Sequence, residues 1–322
     1  MKKVLTVIVS CILAVCGTVG LIACGGGNNG GETGGANEKN ITVVAREQGS
    51  GTREAFDKVV TDGNGNYLEM KVDGKKVYKT TSSADLQKET GNVMSKVASD
   101  KNSIGYISLG SVNGTIKVVT VDGVAPSKET VLNGTYKIQR PFVVMTNADV
   151  TLTDITADFL AYLKSNASEA HANKAGCIWL SDPTQRANAG ETAIPVAEYT
   201  AKTELPSGGK IVINGSTSME KFIKAAMSGY ASLYGTTADK LFTLDLQGSS
   251  VGRSAAEKDT KGNVIGLSSA AVKEEKINSF NVCLDAVAVI VNNANDKIHN
   301  LTIAQLYDIF SGKVTKFSQI EG

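Results

Sequence analysis

Histidine is scarce in this chain, which contains only His171 and His299. This scarcity argues against a histidine-rich metal site, and we expect neither a metal nor a cofactor. An excess of either charge is also missing, because 33 lysines and arginines stand against 32 aspartates and glutamates. Nucleic-acid-binding domains usually carry a basic excess. The balance therefore argues against a nucleic-acid partner, and any anion site must be built locally.

Familiar catalytic motifs are absent as well. A Walker phosphate loop fails because Tyr307 stands where a glycine should precede Gly312-Lys313, and the dinucleotide fingerprint fails at Glu54. Residues 266–270 resemble a nucleophile elbow only faintly. Both histidines lie in loop-like or helix-surface contexts, so a serine hydrolase is not supported. We expect a protein that is not an enzyme.

The amino terminus has the pattern of a lipoprotein leader. Lys2 and Lys3 precede an apolar run over residues 4–23, which ends in Leu-Ile-Ala-Cys at Cys24. A Gly/Asn tract follows, typical of a flexible tether. We predict a signal peptide over 1–23, lipidation of Cys24, a tether over 24–40 and an extracytoplasmic domain held at the cell membrane. The alternative is an uncleaved transmembrane anchor.

Cysteine is rare after this leader. Only Cys24, Cys177 and Cys283 remain, and the first is the predicted lipidation site. Cys177 and Cys283 could pair in an oxidising compartment, or they could be two buried free thiols. The sequence leaves both possibilities open.

Short β-branched runs alternate with helical patterns in the rest of the chain. This alternation predicts an α/β fold with mainly parallel sheets and a ligand at the carboxyl ends of the strands. Residues 182–209 show little periodicity and contain three prolines, so they resemble a linker. The predicted strands cover 41–44, 104–108, 116–121, 142–145, 210–213 and 287–291, and the predicted helices 53–60, 154–165, 219–233 and 302–310.

Three turns rich in glycine and hydroxyl residues each join a strand to a helix. They cover 49–52, 214–218 and 247–252, and Arg46 precedes the first. A helix start leaves backbone N–H groups unpaired and carries partial positive charge. Glycine permits close approach, hydroxyls donate, and arginine suits a tetrahedral oxyanion. Ordinary helix capping explains any single turn, but three turns with an arginine favour an anion site.

The first of these turns carries a family resemblance. Residues 46–53, Arg-Glu-Gln-Gly-Ser-Gly-Thr-Arg, followed by Ala55-Phe56, resemble the signature of phosphate-binding proteins of phosphate ABC transporters. The similarity covers nearly everything from residue 41 onward, with Phe317 in place of a tryptophan. Further segments that resemble the family are 104–110, 215–219, 265–269, 285–292 and 301–315.

The order of these segments is rotated relative to the usual family chain, which begins with the Gly-Ser-Thr-Ser strand. The rotation indicates a circular permutant, with residues 182–209 joining the former termini. The alternative is a truncated tandem of two such proteins. We expect residues 41–44 to lie beside 314–320, and strand 211–213 to lie in a different sheet from strand 41–44.

The resemblance implies a two-lobe type II periplasmic-binding-protein (Venus-flytrap) fold that closes on its ligand by hinge motion. Lobe two would comprise 41–142 and 283–322, and lobe one 143–282. Carried over residue by residue, the family's ligand contacts fall on Arg46, Ser50, Gly51, Thr52, Ser216, Thr217, Ser218, Ser249 and Ser269.

Two of these positions depart from the family's enteric members, which have a carboxylate where Ser269 stands and often another acid at Gln48. A carboxylate in the site accepts the proton of hydrogen phosphate and repels sulfate. Glu47 or Asp285 could substitute, although the sequence does not place them.

The function implied is binding of inorganic phosphate and its delivery to the permease subunits of an ABC importer, by a monomer. One alternative is another oxyanion, namely sulfate, molybdate or tungstate. A second is a receptor or adhesion lipoprotein that has kept the fold without transport.

Overall fold

The computed structural model describes residues 39–181 and 196–320, and these form an α/β structure. Its strands, β1 to β12, are Thr42–Arg46, Glu69–Val72, Lys75–Tyr78, Asp85–Gln87, Ser103–Ser108, Ile116–Val121, Gln139–Asn147, Ile211–Gly215, Phe242–Asp245, Val264–Ser268, Ile277–Asn292 and Asn300–Leu301. Its α-helices, α1 to α9, are Gly51–Asp57, Thr90–Ser99, Lys128–Leu132, Asp154–Lys164, Glu169–Lys174, Glu220–Leu233, Ala238–Leu241, Ser249–Glu257 and Ile303–Phe310.

Helix starts follow local side-chain chemistry. Ser50 caps α1 by accepting from the Arg53 N–H, so this helix begins two residues before the predicted Arg53. Thr302 and Gln305 form a reciprocal capping box that starts α9 at Ile303. At these two helices the polar residue before the apolar run therefore decides where the helix begins.

Ten strands form one hydrogen-bonded network. Its main path is β4-β1-β5-β11-β7-β10-β8-β9, with β6 paired to β11 and β12 paired to β6. The pairs β4–β1–β5 and β10–β8–β9 are parallel, whereas β11 runs antiparallel to β5, β6 and β7. The expectation of mainly parallel sheets is therefore only partly correct, because the antiparallel strands β7 and β11 lie at the centre.

Strand β11 joins the two parts of this network. Its residues 287–292 pair with β5 and β6, while 277–286 pair with β7 across a register shift between Asn281 and Cys283. The expectation that strand 211–213 and strand 41–44 lie in different sheets is therefore wrong. One strand long enough to pair on both sides connects them through β5, β11, β7 and β10.

Two large hydrophobic clusters pack against this network. Core one includes Phe56, Tyr106 and Phe310, whose rings stack or meet edge to face. Core two includes Phe159 and Tyr230 and gathers residues of α4, α6, β8 and β10. The chain thus buries its apolar surface in two places, one on each side of the central strands β7 and β11.

The beginning and end of the described chain meet, as predicted from the rotated order. The backbone N–H of Ile41 donates to the carbonyl of Thr315 at 2.7 Å. The predicted linker lies partly outside the described residues, but its later part packs on core two. There the carbonyl of Ser207 accepts from the N–H of Ile155, and the Tyr199 hydroxyl donates to Asp158.

Cys177 and Cys283 are buried free thiols beside a backbone pairing of Ile178 with Leu284 of β11. The next residue, Trp179, is buried in core two and is the single tryptophan of the sequence. Within 39–181 and 196–320, no helix is long and apolar enough to span a bilayer. The predicted signal peptide, Cys24 and the tether up to residue 38 lie outside the described residues.

Candidate oxyanion site

Four strands end at the same place. Arg46, Gln87, Gly215 and Ser268 are the last residues of β1, β4, β8 and β10. The carboxyl ends of parallel strands are where open α/β sheets place their ligands. All three turns singled out from the sequence follow these strands or β9, so the fold brings them towards one another.

Arg46 is at the centre of this region. Its side chain is buried, with 2% of its surface exposed. Nε donates to the carbonyl of Gln87 at 3.1 Å and Nη2 to that of Lys88 at 2.5 Å. These two carbonyls hold the guanidinium from behind.

The remaining donors of Arg46 point at hydroxyl groups. Nη1 lies 3.4 Å from Thr52 Oγ1 and 3.3 Å from Thr90 Oγ1, and Nη2 lies 3.2 Å from Thr217 Oγ1. Ser218 Oγ completes the group at 3.0 Å from Thr52 Oγ1. We call Arg46, Thr52, Thr90, Thr217 and Ser218 the arginine cage. Its members come from both sides of the central strands.

Three serines form a second group, the serine cluster. Ser216 Oγ donates to Ser269 Oγ at 2.8 Å, and Ser249 Oγ accepts from the Ser269 N–H at 3.0 Å. All three are buried. The cluster continues the cage, since Ser216 immediately precedes Thr217.

Gly51 lies where these groups meet. A Cβ atom at this position would stand 2.6 Å from both Ser249 Oγ and Ser269 Oγ, and 2.7 Å from the Ser269 carbonyl carbon. Real Cβ contacts are never that short, so the approach of α1 to the serine cluster requires glycine here.

Ser50 is the predicted site residue that the structure does not bring into either group. Its hydroxyl accepts from the Arg53 N–H at 3.4 Å and caps α1. Helix capping therefore explains Ser50. Of the other eight predicted residues, seven belong to the cage or to the serine cluster, and Gly51 lies where the two groups meet.

Arg46 is a buried cation that forms no ion pair with any aspartate or glutamate of the described residues. Burial lowers its pKa to about 10, an effect that Tyr106 partly opposes. It thus stays charged at neutral pH, and a buried charge without a partner is costly. An anion placed among the cage hydroxyls would supply that partner.

A buried ion pair lies behind the serine cluster. Arg140 of β7 donates from Nε and Nη2 to Asp285 of β11, at 3.0 and 2.8 Å, and from Nη1 to the Ser269 carbonyl. Ser108 donates to the other Asp285 oxygen at 2.8 Å. Asp285 is therefore engaged and does not contact the cage, so it does not replace the carboxylate missing at Ser269. The hydrogen bonds of Glu47 with other described residues run through its backbone, to Gln87 and Ser50, so its carboxylate does not fill that place either.

Arg53 is held in an inner position. It is 5% exposed, its Nε donates to Asp57 at 2.9 Å, and its Nη1 donates to the Arg46 carbonyl at 3.0 Å. Arg53 therefore does not point to solvent. Its guanidinium supports the backbone of Arg46 from the core-one side.

Thr90 is the cage residue that the sequence did not single out. It begins α2 directly after β4 and is 5% exposed. The available signal was Thr90-Gly91 at the start of a helical pattern, which lacks the Gly-Ser repetition of the other turns. No cluster of His, Cys, Asp and Glu side chains in the described part of the chain could hold a metal ion.

Comparison with known proteins gives concordant results. The family model described as PBP superfamily domain matches residues 28–167 and 200–322. "Phosphate-binding protein PstS 2" of Streptococcus pneumoniae serotype 4 is 32% identical over 308 residues, covering 94% of each chain. The protein of that name in Streptococcus agalactiae serotype V is 30% identical over 313 residues, covering 96% of this chain and 97% of its own.

A solved structure agrees with these sequences. The crystal structure of a phosphate-binding protein of a phosphate ABC transporter from Streptococcus pneumoniae TIGR4 matches 88% of this chain and 100% of its own, with 31% identity and a TM-score of 0.62. The mixed sheet with flanking helices is accordingly the type II periplasmic-binding-protein fold. The chain belongs to the PBP superfamily and, within it, to the phosphate-binding proteins of phosphate ABC transporters.

Proposed function

We propose that this protein captures inorganic phosphate among the cage hydroxyls and delivers it to an ABC importer. One observation carries the proposal: Arg46 is a fully buried cation whose free donors face hydroxyls rather than a carboxylate. A bound oxyanion would accept from the guanidinium and from the hydroxyls at once, and charge-assisted hydrogen bonds of this kind are the strong ones. No step of catalysis is needed, so the role is binding.

The predicted ligand residues fit this role unequally. Arg46, Thr52, Thr217 and Ser218 would contact the anion from the cage, and Ser216, Ser249 and Ser269 from the serine cluster. Gly51 would allow the close approach of its backbone, while Ser50 would shape the loop by capping α1. Because Thr217 and Ser218 contact Arg46 and Thr52, ligand capture would be coupled to closure of the cleft.

The cellular setting follows from the leader and from the relatives. We propose a monomeric lipoprotein, anchored through Cys24 at the extracytoplasmic face of the cell membrane, that docks on permease subunits. The two hydrophobic cores favour the two-lobe division at about residues 142 and 283. The contact between Ile41 and Thr315 is one that circular permutation relative to the usual family order requires, an order that the Streptococcus relatives would share with this chain.

A second oxyanion is the other candidate, and one observation favours it. Within the described residues, no carboxylate hydrogen bonds to a hydroxyl of the cage or of the serine cluster. Hydroxyl groups both donate and accept, so they suit a protonated phosphate and an unprotonated sulfate alike. Sulfate is therefore the necessary comparison ligand.

Calorimetric titration tests the proposal on the detergent-solubilised mature protein, with phosphate and sulfate as ligands. We compare the parent with Arg46→Ala, with Arg46→Lys and with Lys240→Ala as an exposed charge-removal control. A lost charge-assisted hydrogen bond costs about 1.5–3 kcal/mol, and an anion left buried without its partner about 3–5 kcal/mol. Arg46→Ala should therefore weaken phosphate binding by ~10²- to 10³-fold, with Arg46→Lys between it and the parent.

Three results would count against phosphate capture at this site. The parent protein could fail to bind phosphate, which would favour a receptor or adhesion role. It could bind sulfate more tightly than phosphate. Finally, the phosphate affinity of Arg46→Ala could stay within about threefold of the parent's, a change below ~0.7 kcal/mol. The turn at 49–52 would then serve only to cap α1.

A further inference from the structure

The segment from β4 into α2 surrounds the guanidinium of Arg46 on one side. Strand β4 pairs parallel to β1, with Gln87 opposite Arg46. Because the two strands end side by side, the carbonyls of Gln87 and Lys88 reach Nε and Nη2. The chain then enters α2, whose first residue is Thr90. One short segment thus orients the cation and also supplies a hydroxyl beside it.

Thr90 contacts cage members from both sides of the central strands. Its Oγ1 lies 3.3 Å from Arg46 Nη1, 3.2 Å from Thr217 Oγ1 and 3.5 Å from Ser218 Oγ. Hydroxyl–hydroxyl hydrogen bonds are usually 2.7–2.8 Å long, so these contacts are long. The guanidinium can only donate, whereas each hydroxyl has one proton to donate and two lone pairs that accept. An added oxyanion could therefore accept from the guanidinium and from hydroxyl protons that now form only long contacts with one another.

The start of α2 adds backbone donors at the same place. This helix has ten residues, and its N-cap residue, Glu89, makes no side-chain capping hydrogen bond. A Cβ at Gly91 would meet nothing within 4 Å, so the first turn is not crowded by the described residues. Uncapped N–H groups at a helix start attract anions.

We propose that residues 87–91 form a further ligand-binding segment, in which the Thr90 hydroxyl donates directly to the bound oxyanion. This inference rests on the proposed function and adds to it a contact from α2. The competing explanation is that Thr90 only positions Arg46. A positioning role would act entirely through the guanidinium, and a direct contact would not.

The test measures phosphate affinity by calorimetry for Thr90→Val and Thr90→Ser in the mature protein. Because a hydrogen bond to a charged group stabilises strongly, Thr90→Val should bind phosphate at least tenfold more weakly than the parent. Thr90→Ser keeps the hydroxyl, and its phosphate affinity should stay within threefold of the parent's. Thr42→Val is the matched control, since the Thr42 hydroxyl bonds Asp100 at the other end of α2. Thr90→Ala replaces Thr90→Val if thermal unfolding shows that the valine variant does not fold.

The same substitutions in an Arg46→Lys background separate contact from positioning. A direct contact predicts a further loss of at least threefold from Thr90→Val in that background. An affinity unchanged by Thr90→Val, in either the parent or the Arg46→Lys protein, overturns the inference. If Thr90→Val leaves the affinity of the parent unchanged but Arg46→Ala still weakens binding, the proposed function survives and only this inference fails. If the parent itself does not bind phosphate, the proposed function fails.

Discussion

Replacing Gly51 with alanine adds one methyl group at the meeting point of α1 and the serine cluster. The new Cβ would lie 2.6 Å from two serine oxygens and 2.7 Å from a backbone carbon of Ser269. A serine can rotate away, but the backbone atom cannot, so α1 and β10 must separate. Overpacking of this kind costs about 1–3 kcal/mol, which predicts phosphate binding weaker by ~5- to 150-fold.

The free energy of unfolding of the ligand-free domain should fall by less than this overpacking, by about 0–2 kcal/mol, in the same variant. Gly51 is helical, and alanine is favoured over glycine in helices by about 1 kcal/mol, so the local effect offsets part of the clash. Gly114→Ala is the control, because Gly114 is exposed, lies outside both the cage and the serine cluster, and its Cβ would meet open space. Calorimetry gives the affinities and urea unfolding the stabilities. If Gly51→Ala binds phosphate as tightly as Gly114→Ala does, the close approach is not part of the ligand-bound state.

Two further outcomes follow from charged pairs. Glu54 of α1 and Arg253 of α8 pair at 3.1 Å, each about a fifth to a quarter exposed. Arg253→Gln should therefore speed phosphate release in stopped flow by at most ~5-fold, and Glu54→Gln should add nothing further. Burial raises the pKa of Asp57 to about 6, with Arg53 opposing. The folded state then holds an extra proton from about pH 4 to 6, and stability falls as pH rises. As pH rises through that window, the free energy of unfolding of Asp57→Asn should increase by up to ~3 kcal/mol relative to that of the parent. A difference between the two proteins that does not change with pH in urea unfolding would contradict this.

Periodicity predicted the elements of this fold better than their arrangement. The helix over 154–165 and the strand at 211–213 are confirmed within a residue or two, because each presents one apolar face to core two. Strand direction could not be read from the same pattern. Strand β11 is buried along residues 282–292. A continuous apolar run is typical of a parallel strand covered on both faces, but here it belongs to a central strand that is antiparallel to all its partners.

The site residues could be predicted where the same pattern, a strand followed by a turn rich in glycine, serine and threonine, occurs more than once in the sequence. Arg46 and the hydroxyls of the first two turns could be singled out because glycine, serine and threonine cluster after strands. Thr90 was missed because its contacts depend on the pairing of β4 with β1, which no local pattern specifies. The position of Arg53 could not be predicted for a similar reason, since its contact with the buried Asp57 is established only once α1 packs on core one.

The burial of Trp179 has a practical consequence for spectroscopy. It is the single tryptophan, and it follows Ile178, which exchanges two 2.9 Å backbone hydrogen bonds with Leu284. Leu284 lies beside the register shift of β11 and immediately before Asp285. Intrinsic tryptophan emission therefore comes from one defined point next to the central strands, without any engineered label. Ligand-dependent changes in its wavelength or quenching can be assigned to motion at that point.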